Sequence, residues 1–537
     1  MGSSSNVPNH GGGTIFSTDA NGNDTLIGSN NQKYLLTPAG YYIGIPGQQG
    51  FGVGICPSLP PGFTAMSGTT DPANDNYGNY QYSDGSIMVW IPAFYLRIGS
   101  TSSPRYAAYG ANACDILPDS AYTSETIAAS HGYYRHRAFV NAGANQPGVF
   151  VDKYQCSNNS GTASSIALGM PLASASATGN SPFSGLTGAP TNAFHGAIVA
   201  AKTRGSLFFV TSVYIYDALS RLATAHAQAA TSATWCAWYD AAGVTNYPKG
   251  NNNSALKDIN DTSVTYTAAG ASGTPLMALT GSGTPFAKTT HNGQACGVAD
   301  INGNVYEIAI GLSGIAAAKT ITGVGLSNPL TLTINSHGYT TGNYAQIASV
   351  GGTTQINSCI YKLTVVDANT ISLDGVDGTG FSAFTSGGTC TVGTFYTLKT
   401  ASDIAAVTSG TTLATDHWGA TGIAALFDAV VPQFATTYGS NGYVQKYGNA
   451  SNGVFALGTD SDRALSMAGL PVAGGISTSG SNLFGGDNFD QNIIDTTCVR
   501  AGGDWALGSG AGIRTRYLNT QRTSSLNNVG FRSSSYL

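Results

Sequence analysis

Hydrophobic positions change their spacing several times along this chain. Over residues 1–83 they occur only in short runs, such as YYIGI and FGVGI, set among Gly-, Asn- and Pro-rich tracts like NHGGGTIFSTDANGND and DPANDNYGNY. Such a segment buries too little apolar surface alone to offset its ordering entropy, so the pattern predicts an extended N-terminal arm that packs on something else. The apolar run GSIMVWIPAFYLRI at 85–98 predicts the first clear strand, and GVFVDKYQCSN at 148–158 predicts a second that ends in a polar turn. Between 192 and 240 apolar residues recur at i, i+3 and i+4 in AFHGAIVAAKTRG and SVYIYDALSRLATAHAQAAT. That spacing predicts two amphipathic helices.

From 316 to 395 Val, Ile, Thr and Leu alternate with polar residues, and turn signals (SNP, DAN, VDG) recur along the stretch. This texture predicts a small all-β, Ig-like sandwich, inserted between NGNVYEIAIGL and FYTLKTASDIAAV. The chain therefore reads as an arm (1–83), a main domain in two parts (84–315 and 396–537) and an inserted domain (316–395), of α+β, β-rich class. Its last residues, RTSSLNNVGFRSSSYL, place Val529, Gly530 and Phe531 inside a polar tract. Chain ends are disordered unless tied down, so this apolar core predicts a terminal strand held in a sheet.

Composition narrows the function classes. Charged residues make up only 9% of the 537, against about 25% in ordinary globular proteins, while Gly numbers 71 and Tyr 28. A surface built from Asn, Ser, Thr, Gly and Tyr suits contact, because Tyr supplies area at low entropic cost and the small polar residues adapt their hydrogen bonds. It reads as an extracellular or virion surface. The net charge of -5, with no Lys/Arg cluster, lacks the footprint of nucleic-acid binding. The eight cysteines show no CxxC spacing, which argues against a structural zinc site and leaves them as buried small hydrophobes. Cys359 and Cys390 both fall in the insertion, and a disulfide between them stays open. The sequence predicts neither a signal peptide nor an apolar stretch of about 18 residues, so no membrane insertion is expected.

Four stretches in order, MVWIPAFYLRIG, VFVDKY, ADINGNVYEIA and RAGGDW…NNVGFR, resemble the C-type-lectin-like fold shared by formylglycine-generating enzymes and the variable proteins of diversity-generating retroelements. The latter include phage tail-fibre receptor-binding proteins. GNVYE at 303–307 is similar to the family's Gly-Asn-Val-Trp-Glu, with Tyr306 in place of Trp. The resemblance implies a C-type-lectin-like fold over 84–315 and 396–537. It also implies a scaffold that includes Trp505, Glu307, Phe531 and Arg532, with Val529 and Phe531 facing inward. The exposed ligand-binding face would run from about Trp505 to Leu526 and use Ala506, Leu507, Gly510, Thr515, Tyr517, Asn519, Thr520 and Leu526. Expected with it are a host bacterial surface receptor, protein or glycan, attachment to other tail proteins, a homotrimer in a virion tail, and no cofactor. A bacterial surface adhesin of the same fold is the nearest rival.

Enzymatic readings find little support in the residues. The enzyme branch of the fold binds copper through a cysteine pair after its RGG motif, and here no cysteine follows Cys498. Glu307 is one of two glutamates in the chain. It reads as a buried carboxylate accepting backbone N–H bonds from neighbouring loops rather than as a catalytic acid. His291, Cys296 and Asp300 in HNGQACGVAD could be imagined as a metal or Cys/His site, but no fourth ligand accompanies them. Trp235 and Trp238 read as core aromatics rather than a sugar-stacking platform. A polysaccharide-cleaving enzyme needs paired carboxylates, which the turn-bound Asp residues do not offer. No catalytic and no metal-binding residue is expected.

Overall fold

In the computed structural model the described residues are 42–186, 189, 193–241, 247–270, 276–406, 426–430, 466–471 and 486–537, with the backbone of short strands at 15–18, 24–27, 33–35, 441–444 and 476–477. The apolar run at 85–98 forms two strands, not the single one expected. Strand β1 (Ile87–Pro92) ends at a proline, which has no N–H for the ladder, and the next amide, Ala93 N–H, turns to Pro147 O at 2.9 Å. The following strand, Phe94–Ile98, joins a different sheet with Cys114–Pro118 and Tyr134–Arg135. Strand β2 (Gly148–Asp152) pairs antiparallel with β1.

Both helices form where the spacing places them. Helix α1 is Ala193–Lys202 and α2 is Val213–Ala229. Ser212 caps α2 by accepting the Ile215 N–H at 3.3 Å. Every residue of α2 from Val213 to His226 is buried. It is therefore an interior helix rather than an amphipathic surface one.

The long strand β3 (Tyr306–Thr320) carries the centre of the molecule. Its outer half pairs with β4 (Thr389–Leu398), in register from Leu312↔Thr397 to Thr320↔Thr389. Its inner half pairs with β5 (Thr497–Ala501), which pairs with β6 (Arg516–Gln521). Strand β7 (Val529–Gly530) lies parallel to β3, and β8 (Ser533–Ser535) enters a six-stranded sheet. That sheet runs Phe209–Val210, β8, β2, β1, Asn79–Tyr82, Phe63–Ala65. The C-terminal strand thus sits between two partners inside a sheet. Together these elements make a β-rich α+β protein with few helices.

The expected arm requires correction over residues 42–83. Ile43, Phe51 and Val53 are wholly buried in the main core, and Phe63 and Tyr80 pack with Met88, Trp90, Phe150 and Phe208 in a smaller one. Short Gly-separated apolar runs fill a core when the rest of the chain supplies the other wall. Of residues 1–41, the description covers only the antiparallel sheet of Ile15–Thr18, Asp24–Ile27 and Lys33–Leu35.

The insertion has a separate core drawn entirely from residues between Ile321 and Cys390. Within it, strand Cys359–Asp367 pairs first with Tyr344–Ala348 and then with Thr370–Leu373. Cys359 and Cys390 flank Ile347 on opposite sides, each opposite it across one strand gap. Two gaps of about 4.8 Å exceed the span of a disulfide, and no disulfide joins the two cysteines. Because Thr320 and Thr389 face each other, the β3–β4 stem can be closed by a two-residue turn. Excising 321–388 and joining the ends with Asn-Gly is expected to leave a soluble, cooperatively melting main domain. Insoluble protein from that deletion, with the native chain soluble, would refute the boundary.

Candidate functional site

Strand β3 brings the sequence motifs together. Glu307 stands opposite Ala501 of β5 on one side and Gly530 of β7 on the other. Its carboxylate accepts a fork of hydrogen bonds from Arg532, Nε at 2.6 Å and Nη2 at 2.8 Å. The rest of the guanidinium donates to Asp152 O at 3.0 Å and Ala299 O at 2.9 Å. Tyr216 of α2 and Gln155 complete the carboxylate's partners. The expectation of backbone N–H donors at Glu307 is thus corrected: its partners are side chains, and a two-pronged cation satisfies a buried carboxylate better than single amides. Burial works against the charge on Arg532, but Glu307 outweighs it and holds the guanidinium above its ordinary range. Burial, then Glu307, push the Tyr216 phenol well above its usual value.

The Gly-Asn of GNVYE has a steric reason. A Cβ on Gly303 would lie 2.6 Å from Lys249 O. Asn304 adopts a left-handed φ of 73° and bonds Ala278 through both N–H and C=O, with Gln155 as a further acceptor. In the neighbouring motif Asp504 accepts Asn528 Nδ2 at 2.6 Å, clamping GGDW to NNVGFR.

Between those clamps the chain leaves β5, loops through 502–515 and returns as β6. The far end of the loop is fixed by Asp487, which accepts Lys249 Nζ at 2.5 Å and the Arg514 N–H at 2.9 Å. A Cβ on Gly512 would collide with that carboxylate. A second loop, 252–261, supports the first: Gly508 N–H donates to Asn252 O at 2.9 Å, Asn252 Nδ2 to Gly508 O at 2.5 Å, and Ser254 N–H to Trp505 O at 2.9 Å.

The eight residues expected on the contact face divide by exposure. Ala506 is exposed, and Leu507, Asn519 and Leu526 are half-exposed. Gly510, Thr515, Tyr517 and Thr520 are buried, which corrects their placement on an exposed face. β6 is an interior strand between β5 and Asn488–Gln491, so neither of its edges is free. Thr515 Oγ1 donates to Gly510 O at 2.6 Å, and Tyr517 meets Tyr306 edge to face at 5.3 Å while its hydroxyl accepts Asn488 Nδ2 at 2.8 Å. Ile259, 40% exposed, and exposed Ser509 complete the outward surface. Sequence reasoning missed loop 252–261, for which the Asn run in KGNNNSALKDIND was the available signal.

The remaining expected residues fall as follows. Val529 and Phe531 are fully buried, Phe531 packing edge to face on Phe183 at 5.6 Å. Trp505 is half-buried on the cluster of Met277 and Val305. His291, Cys296 and Asp300 do not converge. His291 accepts the Val298 N–H, Cys296 lies beside Asn292, and Asp300 accepts the Gly281 N–H. Burial depresses His291 to about 3 and raises Asp300 to about 6. Among the described residues no group of three or more His, Cys, Asp or Glu could hold a metal ion, and no helix is long and apolar enough to cross a membrane. Trp238 is buried and Trp235 half-exposed. No family model and no curated protein matches the chain.

Proposed function

We propose that the chain is a receptor-binding protein of a bacteriophage tail fibre or tail tip, with a C-type-lectin-like domain that recognises a host bacterial surface molecule. The observation that carries this reading is the convergence of three of the four motif stretches on the Arg532–Glu307 pair, with the first, in β1, joined to it through its pairing with β2. The clamp between Asp504 and Asn528 then fixes both ends of the intervening segment, whose first residues, 505–509, reach the surface. The contact surface is Ala506, Leu507, Ser509, Asn519 and Leu526, joined by Ile259 of the supporting loop. Gly510, Thr515, Tyr517 and Thr520 shape it from beneath. A surface of a few small and apolar side chains binds weakly, so a homotrimer attached to other tail proteins, multiplying it by avidity, belongs to the same reading.

The enzymatic alternative of the fold lacks its thiols in the last segment. Cys498, the final cysteine, is buried, and burial pushes its thiol up to about 12. A binding test decides the main reading. Fluorescently labelled protein should attach to some strains of a bacterial panel and not others. Ala506→Arg and Ile259→Asp should each weaken attachment about tenfold or more, the loss expected for a contact worth about 1.4 kcal/mol, with melting unchanged. Attachment to no strain, or equal attachment by both variants, would refute the reading.

A further inference from the structure

The supporting loop borders a cleft that the contact surface does not use. Its lining includes Trp238, Tyr239, Tyr247, Asn260, Asp261 and Lys288, around a volume of about 60 Å³. Trp238 and Tyr247 pack at 5.1 Å and are buried, 8% and 1% exposed, and the indole N–H is committed to Thr290 O at 3.1 Å, so the ring surface at the cleft is that of Tyr239. Tyr239 is half-exposed.

The polar wall is held rigid from below. The buried Asp258 carboxylate accepts four backbone amides, from Lys249 at 2.6 Å, Gly250 at 3.0 Å, Asn260 at 2.8 Å and Asp261 at 3.2 Å. Asp258 thus fixes where Asn260 and Asp261 point without itself being available to a ligand. Asp261 Oδ2 meets Lys288 Nζ at 2.5 Å, their side chains 32% and 27% exposed. Asp261 Oδ1 is taken by the Ser263 N–H and hydroxyl of its own turn, while Oδ2 and the Lys288 ammonium meet at the cleft in an ion pair that, this open to solvent, adds little to stability.

We propose that this cleft is a saccharide-binding subsite that takes the edge of one sugar ring. The arrangement matches the two faces of a sugar. Vicinal hydroxyls present a donor and an acceptor together, which Asp261 and Lys288 complement, while the apolar ring face lies on the half-exposed Tyr239. The volume admits a few waters and hence a ring edge, not an oligosaccharide. The 252–261 loop joins cleft and contact surface, because Ile259 N–H bonds Asn252 Oδ1 at 3.1 Å and Asn252 in turn holds Gly508. One ligand can therefore span both. Only the source of the saccharide, the host envelope, rests on the receptor-binding reading.

Saturation-transfer NMR with the methyl glycosides of glucose, galactose, N-acetylglucosamine and rhamnose tests the subsite. At least one glycoside should receive transfer on its ring protons from the native chain. Tyr239→Ala and Lys288→Met, both at partly exposed positions that keep the fold, should each cut it about fivefold or more. Transfer to none of the four, or transfer undiminished in both variants, would overturn the inference. Attachment of the same proteins to the bacterial panel separates the two readings. Sugar transfer undiminished in both variants, with strain-selective attachment by the native chain, overturns the subsite and leaves the receptor-binding reading standing. Variant-sensitive sugar transfer with no cell attachment by the native chain does the reverse.

Discussion

Arg532→Leu is expected to lower the stability of the main domain by about 3–5 kcal/mol, enough to unfold much of it at 37 °C. The effect is large because the guanidinium is fully buried and every hydrogen bond it makes joins a different part of the chain: Glu307 of β3, Asp152 of β2 and the Ala299 carbonyl. Removing it leaves the Glu307 carboxylate buried without its cation, and an uncompensated buried charge costs more than the pair ever contributed. Arg532→Lys keeps the charge but loses the fork, so it should also be destabilised. Thermal melts of the three proteins decide the point. An Arg532→Leu chain melting within about 2 °C of native would contradict the assignment of this pair as the central tie.

Tyr517→Ala is expected to cost about 3 kcal/mol or more, the loss for truncating a buried aromatic, whereas Tyr517→Phe should cost only about 1 kcal/mol for the hydrogen bond to Asn488. Tyr517 is 6% exposed, with Tyr306 edge-on at 5.3 Å and the Arg500 guanidinium 5.5 Å from its ring centre. A residue placed this way acts on binding through the shape of β6, so Tyr517→Phe should retain attachment to cells. Loss of attachment by Tyr517→Phe at native stability would return the hydroxyl to the contact surface.

The residues show why some features were legible in the sequence. The i, i+3, i+4 spacing in AFHGAIVAAK and VYIYDALSRLATAHAQA is a local signal, and both helices appear within it. The break at Pro92 is also local, but an unbroken apolar run masked it. The arm was misjudged because Phe51 and Val53 gain their burial from residues far along the chain, which no short window reveals. Glu307 was legible as a buried, hydrogen-bonded carboxylate but not as half of an ion pair, because Arg532 lies 225 positions away and no local signal joins the two. At Tyr517 the alternation of a strand identifies a face but not whether another strand covers it. Here Tyr306 and the Arg500 guanidinium pack on the ring, and a buried position replaced the expected exposed one.

Hydrogen–deuterium exchange on the native chain, alone and bound to envelope fragments of a strain to which it attaches, bears most directly on where recognition occurs. Receptor binding through the described surface predicts slowed exchange at 252–261 and 505–509, with the inserted domain at 321–388 unchanged. Slowed exchange confined to the inserted domain, with both loops exchanging as in the free protein, would contradict it.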